Sequence, residues 1–435
     1  MRNLAWLERT RAAVWHPCTQ MKQLEQVPPL PVARGEGAWL IDYEGRRYLD
    51  AISSWWVNLF GHANARINAA IIHQLGQIEH VMLAGCTHAP VVELSERLAR
   101  LSGLSHAFYG SDGASATEIA LKMSFHYWRN QGRSDKTEFV SLQNGYHGET
   151  LGALSVTDVA LFKDIYAPLL RQSQQVMSPD WRLAAQDESA AAYALRAVAQ
   201  VEQLFAERAS QLAAIIVEPL VQGAAGMAMY HPIYLTRLRA LCDQYAVHLI
   251  ADEIAVGFGR TGTFFAHEQA NVRPDFLCLS KGITGGYLPL SCVLTRDEIY
   301  AAFYADSSAR AFLHSHSYTG NPLACSAALA VLDIFETDAV LFTNRSKAAR
   351  FNHYLQPVAA HPRVRFMRNS GMIWAFDVVS SAPDFSLRFH QQALSRGVYV
   401  RPIGQTVYFM PPYVIEEAEM ALMADVALAL LDCVE

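Results

Sequence analysis

The sequence predicts an α/β fold: a mostly parallel central sheet with helices on both faces, beside a smaller α+β unit built from both chain ends. Three observations predict it. The middle of the chain alternates short apolar runs with helical stripes, and strands joined through helices lie parallel in one sheet. The 435 residues exceed one ordinary core. The two ends lack that alternation and read as a hairpin, helices and isolated strands. The expected division is 1–60 for the N-terminal part of the small domain, 61–330 for the large domain, and 331–435 for the C-terminal part of the small domain.

Each element follows in chain order. GAWLIDYEGRRYLDAISSWW (37–56) alternates around Asp42-Tyr43-Glu44-Gly45, which reads as a hairpin turn. FYGSDGASATEIALKMSFHYW (108–128) is a Gly/Ser/Asp turn running into a helix, with Ile119, Ala120, Met123 and Tyr127 on one stripe. Ser115 and Glu118 stand at capping-box spacing there. FVSLQNGYHGETLGALSV (139–156) is a strand that ends at Asn144-Gly145. AAIIVEPL (213–220), VHLIADE (247–253) and PDFLCLSKG (274–282) are strands. HPIYLTRLRALCDQYA (231–246) is a helix with Tyr234, Leu235, Leu238, Leu241 and Cys242 on its apolar stripe. Beyond residue 330 come a helix, TNRSKAARFNHYLQPVA, and strand-like runs at 363–378 and 398–410.

Hydrophobic residues make up 51% and charged residues 17%, which supplies a sizeable core. A net charge of −6 and a pI near 6.2 suggest no nucleic-acid or anionic-membrane partner. The seven cysteines are scattered, odd in number and form no C-x-x-C pair, which fits a reducing compartment. The N-terminal stretch has no apolar core of signal-peptide length, and no apolar run is long enough to span a bilayer. A cytoplasmic protein is expected.

Several segments offer chemistry, each with an ordinary structural alternative. Lys281 ends a buried-looking strand on a loop containing Gly282, Gly285 and Gly286. It either snorkels to solvent or carries a desolvated amine able to form a Schiff base. The turn before residue 115 is an ordinary capped helix start or a phosphate site. Tyr146 is a half-buried turn residue or a ring that stacks on a planar ligand. Asp252 closes a strand and serves as a cap, a metal ligand or a carboxylate holding a proton on a ring nitrogen. Arg401 lies on a wet strand face or binds a carboxylate. Trp55 and Trp56 pack a core or wall an apolar pocket. His314 and His316 share a face if extended, but no third ligand is apparent nearby, so no metal is expected. Taken together, a phosphate-type helix start, an aromatic stacker, an Asp and a Lys at strand ends are the parts that a pyridoxal 5'-phosphate site requires.

With DEIAVGFGRTG (252–262), the SKG segment, WHPCTQM (15–21), SSWW (53–56), HVMLAGCTHAP (80–90), EPLVQGAAGM (218–227) and VRPIGQTVYFMPPY (400–413), the chain resembles the class III aminotransferases of the fold-type I pyridoxal-phosphate superfamily. The resemblance covers nearly the whole chain. SSWW and the 400–413 segment place it with the biotin-pathway branch. That resemblance implies a ping-pong transfer of an amino group from S-adenosylmethionine to 8-amino-7-oxononanoate. A lysine-donor enzyme of the same pathway and another class III ω-aminotransferase are the alternatives. Lys281 is then the residue that holds the cofactor covalently and moves the proton. Asp252 pairs with the pyridinium nitrogen, and Tyr146 stacks on the ring and borders the substrate. Gly113 and Ala114 give N–H groups to the phosphate, and Glu218 lies near the ring and Lys281. His316 and Ser317 fall where a neighbouring subunit reaches the phosphate, which implies a homodimer with shared sites. Trp55, Trp56 and Ser315 line the substrate pocket, and Arg401 takes the keto acid's carboxylate. Three positions depart from the family pattern. Cys18 stands at a substrate-contacting tyrosine position, Glu149 replaces an Asp, and HSHSYTG replaces the H-G-P-T-F-M-G type.

Overall fold

The computed structural model describes residues 2–432. The chain forms two compact units, one of residues 66–343 and one of residues 1–65 with 344–435.

The larger unit is built on a seven-stranded sheet. Its strands are β1 (His106–Gly110), β2 (Glu138–Leu142), β3 (Gln174–Val176), β4 (Leu212–Val217), β5 (His248–Asp252), β6 (Phe276–Leu279) and β7 (Ser291–Thr295). Their order across the sheet is β1-β7-β6-β5-β4-β2-β3. Every pairing from β6 through β5, β4 and β2 to β3 is parallel, and β7 alone runs against its neighbours. β4, β5, β6 and β7 are buried along their whole length. That is why they read as continuous apolar runs rather than alternating ones.

The helix Gly113–Asn130 lays its expected stripe on this sheet. Ile119, Ala120 and Met123 are buried with Ile216, Ile250, Phe276 and Val293, and Tyr127 packs against the same cluster. The helix Ile233–Tyr245 buries Tyr234, Leu235, Leu238, Leu241 and Cys242, the five residues of its predicted stripe. The capping box expected from Ser115 and Glu118 does not form. Asp112 is the N-cap, and its carboxylate accepts from the Ser115 N–H and hydroxyl, both at 2.8 Å. Glu118 instead accepts from the Thr150 hydroxyl at 2.6 Å and the Gly152 N–H at 2.9 Å. The helix begins at Gly113, so Asp112 caps the Ser115 N–H and Ser115 lies inside the first turn rather than at the N-cap.

In the smaller unit, Trp39–Asp42 and Arg47–Asp50 form the expected antiparallel hairpin. Gly45, with φ of 86°, closes its turn by donating to the Asp42 carbonyl at 3.1 Å. Val32–Glu36 pairs on one side of this hairpin, and Val398–Tyr399 pairs in parallel with Arg47–Asp50 on the other. The run 363–378 is two strands, Val364–Ser370 and Ile373–Val378, folded back on each other at Gly371. The run 398–410 is likewise interrupted between Tyr399 and Thr406, where Pro402 removes a donor and Gly404 turns with φ of 57°.

Candidate active site

The C-terminal ends of the parallel strands in the larger unit carry the expected groups. β5 ends on Asp252, which is 4% exposed. Its Oδ2 lies 2.7 Å from Nδ1 of His147, and its Oδ1 accepts from the Ile254 N–H at 3.1 Å. His147 is also buried, and its carbonyl accepts from the Thr117 hydroxyl at 2.7 Å. His147 stands beside Tyr146 in the Asn144–Gly148 turn, but its partner lies 105 residues away along the chain, so no local signal marks its role. Glu253, the next residue after Asp252, points elsewhere. Its carboxylate accepts from the Ala266 and His267 N–H groups and faces the His267 ring at 2.7 Å.

Glu218 follows β4 and is buried. Its two oxygens accept from the Tyr146 N–H at 3.0 Å and the Gly223 N–H at 2.8 Å. Desolvation pushes its pKa up to about 7. The Asp252 charge adds to that shift, and His147 and the two N–H bonds oppose it.

Lys281 stands two residues past β6, where it opens a short 3₁₀ turn, Lys281–Thr284, with a left-handed φ of 45°. This corrects the expectation that it closes the strand itself. The side chain keeps part of its surface open, yet desolvation pushes its ammonium below the usual lysine range. The charges of Asp252 and Glu218 counter that shift. Gly285 follows with φ of 63°, and a Cβ there would meet Ile67 and Val331 at 3.1 Å. The turn after the lysine therefore needs glycine on both counts.

Gly113 and Ala114 open the helix Gly113–Asn130, so their N–H groups have no intrahelical acceptor. A Cβ on Gly148, whose φ is 116°, would lie 2.6 Å from the Ala114 Cβ. The Tyr146-His147-Gly148 turn thus presses directly on that helix start. The Tyr146 hydroxyl donates to Glu149 at 2.8 Å, and its ring meets Phe162 edge-on at 5.4 Å. His316 Nδ1 is 3.0 Å from the Ser111 hydroxyl of its own chain, and His314 lies between His316 and Lys122. Ser315 and Ser317 are exposed. Among the described residues, no cluster of three or more metal-ligating side chains occurs.

The smaller unit carries the remaining candidates. Trp56 is 6% exposed and donates through its indole to the Tyr408 hydroxyl at 3.1 Å, whereas Trp55 is 44% exposed. The Arg401 guanidinium lies over the Trp55 ring at 5.2 Å. Trp56 thus packs a core, one of the two alternatives that sequence left open, and Trp55 is exposed. Cys18 is exposed in a turn with φ of 49°.

This fold and these groups are those of a transaminase. The family model for class III aminotransferases matches residues 20–430, and the chain belongs to that family. It is 45% identical over 94% of its length to the adenosylmethionine-8-amino-7-oxononanoate aminotransferase of Helicobacter pylori, 93% of which is covered. The enzyme of the same name from Geobacter sulfurreducens is 38% identical, over 95% of this chain and 94% of that one. The crystal structure of the Methanocaldococcus jannaschii enzyme of that name superposes with a TM-score of 0.94 at 35% identity, covering all of both chains. An amine transaminase from an uncultivated Pseudomonas species, solved with pyridoxal phosphate bound, superposes with a TM-score of 0.92 at 33% identity, over 97% of this chain and 99% of that one. No helix among the described residues is long and apolar enough to cross a membrane.

Proposed function

We propose that the chain transfers an amino group from S-adenosylmethionine to 8-amino-7-oxononanoate, giving 7,8-diaminononanoate, in a ping-pong reaction on pyridoxal phosphate. The observation that carries this reading is the near-full-length similarity to relatives named for that reaction. The residues present fit the cofactor. A desolvated lysine, a buried carboxylate aimed by a histidine, and a helix start flush against a glycine turn are what its aldehyde, ring nitrogen and phosphate need. When bound, pyridoxal phosphate supplies an aldehyde that accepts amino groups and a ring that draws electrons from the adjacent carbon.

The protein's own groups divide the remaining work. Lys281 would hold the cofactor and be the base that moves the proton, a role that the desolvation lowering its ammonium's pKa favours. Asp252 keeps the ring nitrogen protonated, and His147 fixes the orientation of that carboxylate. Gly113 and Ala114 bind the phosphate, and Tyr146 covers the ring. Glu218 anchors the Tyr146 backbone beside them. Arg401 takes the acceptor's carboxylate, Trp55, Ser315 and Cys18 contact substrate, and Trp56 is buried against Tyr408. His316 and Ser317 serve the phosphate of a second copy, so the working form is a homodimer.

The test is a half-reaction on purified holoenzyme without acceptor. S-adenosylmethionine is expected to bleach the bound-cofactor absorbance, and lysine is not. Bleaching by lysine alone would move the protein to a lysine donor, and no bleaching with either would overturn the reading.

A further inference from the structure

Ser53, Ser54, Trp55 and Trp56 have φ values of 52°, 47°, 72° and 72°. A left-handed turn of four L-residues crowds each Cβ against the following carbonyl, so it persists only when its surroundings hold it. The group that holds it is Asp50, whose carboxylate is fully buried. Oδ1 of Asp50 accepts from the Ser54 N–H at 2.9 Å, and Oδ2 accepts from the Ser54 hydroxyl at 2.7 Å. Oδ2 also faces His62 Nε2 at 3.0 Å. A second anchor comes from the Ser53 hydroxyl, which donates to the Met410 carbonyl at 2.7 Å.

The consequence of the turn is directional. Trp56 is driven into the core, and Trp55 is turned outward beneath Arg401. Burial raises the pKa of the Tyr399 hydroxyl and the nearby Arg401 charge opposes that shift, and Tyr399 is the register partner of Asp50 in the parallel strand pair. Asp50 therefore fixes the indole face under the guanidinium through the turn, and the next residue, Ala51, donates to the Tyr399 carbonyl at 3.2 Å. An arginine held on an aromatic face keeps its planar fork in one orientation, which bidentate carboxylate binding needs.

We propose that Asp50 is the positioning residue of the subsite that binds the acceptor's carboxylate, acting through Trp55 on Arg401. The inference rests on the reading of Arg401 as that subsite. The test compares the two half-reactions in wild type, Asp50→Ala, Arg401→Ala and the double variant. Asp50→Ala is expected to lower kcat/KM for the keto acid about tenfold or more, mainly through KM, and to change the donor half less than about twofold. In the Arg401→Ala background, adding Asp50→Ala is expected to cost less than about twofold more. Equal losses in both halves, or fully additive losses with Arg401→Ala, would overturn the positioning role. If Asp50→Ala does not fold, Ser54→Ala removes one anchor alone. It must then show a smaller loss confined to the acceptor half, and any other pattern counts against the proposal. Should Arg401→Ala itself weaken both halves equally, the failure lies with the reading of Arg401 and not with Asp50.

Discussion

Asp252 and Glu253 are neighbours on one strand end, yet their surroundings give them different tasks. Glu253 is consumed by two backbone N–H groups and His267, so it holds a turn together. Asp252 has one backbone donor and His147, which leaves a buried carboxylate with lone pairs for a further cation. Lys281 is the third group, and its role is open to direct proof. Borohydride reduction of the holoenzyme is expected to leave the cofactor's mass on the peptide containing Lys281, and Lys281→Ala is expected to fold and carry none. An adduct on another peptide would refute the assignment. Glu218 makes a prediction about pH. Its folded pKa near 7 lies above the usual 4.5, so between those values the unfolded chain releases the proton first. The cofactor-free protein should therefore lose stability as pH rises from 4.5 to 7, with no further change from this group above 7. Glu218→Gln should flatten that slope in melting temperatures taken across the window. An unchanged slope would mean that Glu218 stays charged when folded.

At the scale of elements, the turn Asn144–Gly148 is the piece that joins the helix start to the sheet. Gly148 touches Ala114, Tyr146 is tied to Glu218, and His147 reaches β5. A methyl group on Gly148 has no space at 2.6 Å from the Ala114 Cβ, and the φ of 116° is barred to L-residues. Gly148→Ala should cost about 1–3 kcal/mol of stability in urea unfolding. It should also weaken cofactor affinity in a titration of the apoprotein, because the displaced helix start carries the N–H groups proposed for the phosphate. Unchanged affinity would place the phosphate elsewhere. The sequence exposes this turn only in part. The Asn-Gly pair, the strand before it and the stripe of the helix Gly113–Asn130 follow from local periodicity and turn chemistry, which neighbouring residues determine. The pairing of His147 with Asp252, and the use of Asp112 rather than Ser115 and Glu118 for capping, depend on which groups meet in space. The left-handed SSWW turn was equally hidden. No local signal in two serines and two tryptophans announces positive φ, and the cause is a carboxylate in the preceding strand together with the carbonyl of Met410.

For the whole molecule, the decisive question is whether one chain is enough. In the larger unit, segments 79–88 and 314–321 are tied together: Asn321 donates to the Glu79 carbonyl at 3.0 Å, and His88 faces the Gly320 carbonyl at 2.9 Å. These joined segments, with Leu313 just before the second, expose Met82 at 60%, Leu313 at 84% and Tyr318 at 68%, beside the His316 and Ser317 proposed to serve a second copy's phosphate. Apolar side chains this open, next to residues proposed to act on another chain, argue for a covered face in the working form. The protein is expected to run in light scattering at twice its 48.3 kDa chain mass. Leu313→Asp combined with Tyr318→Asp should place two charges on that face and shift the mass toward one chain. If the phosphate site is shared, the same variant should bind pyridoxal phosphate at least about tenfold more weakly, a loss of about 1.4 kcal/mol. A monomer that keeps full cofactor affinity would show that each chain completes its own phosphate site, with His316 serving Ser111 of its own chain at the observed 3.0 Å.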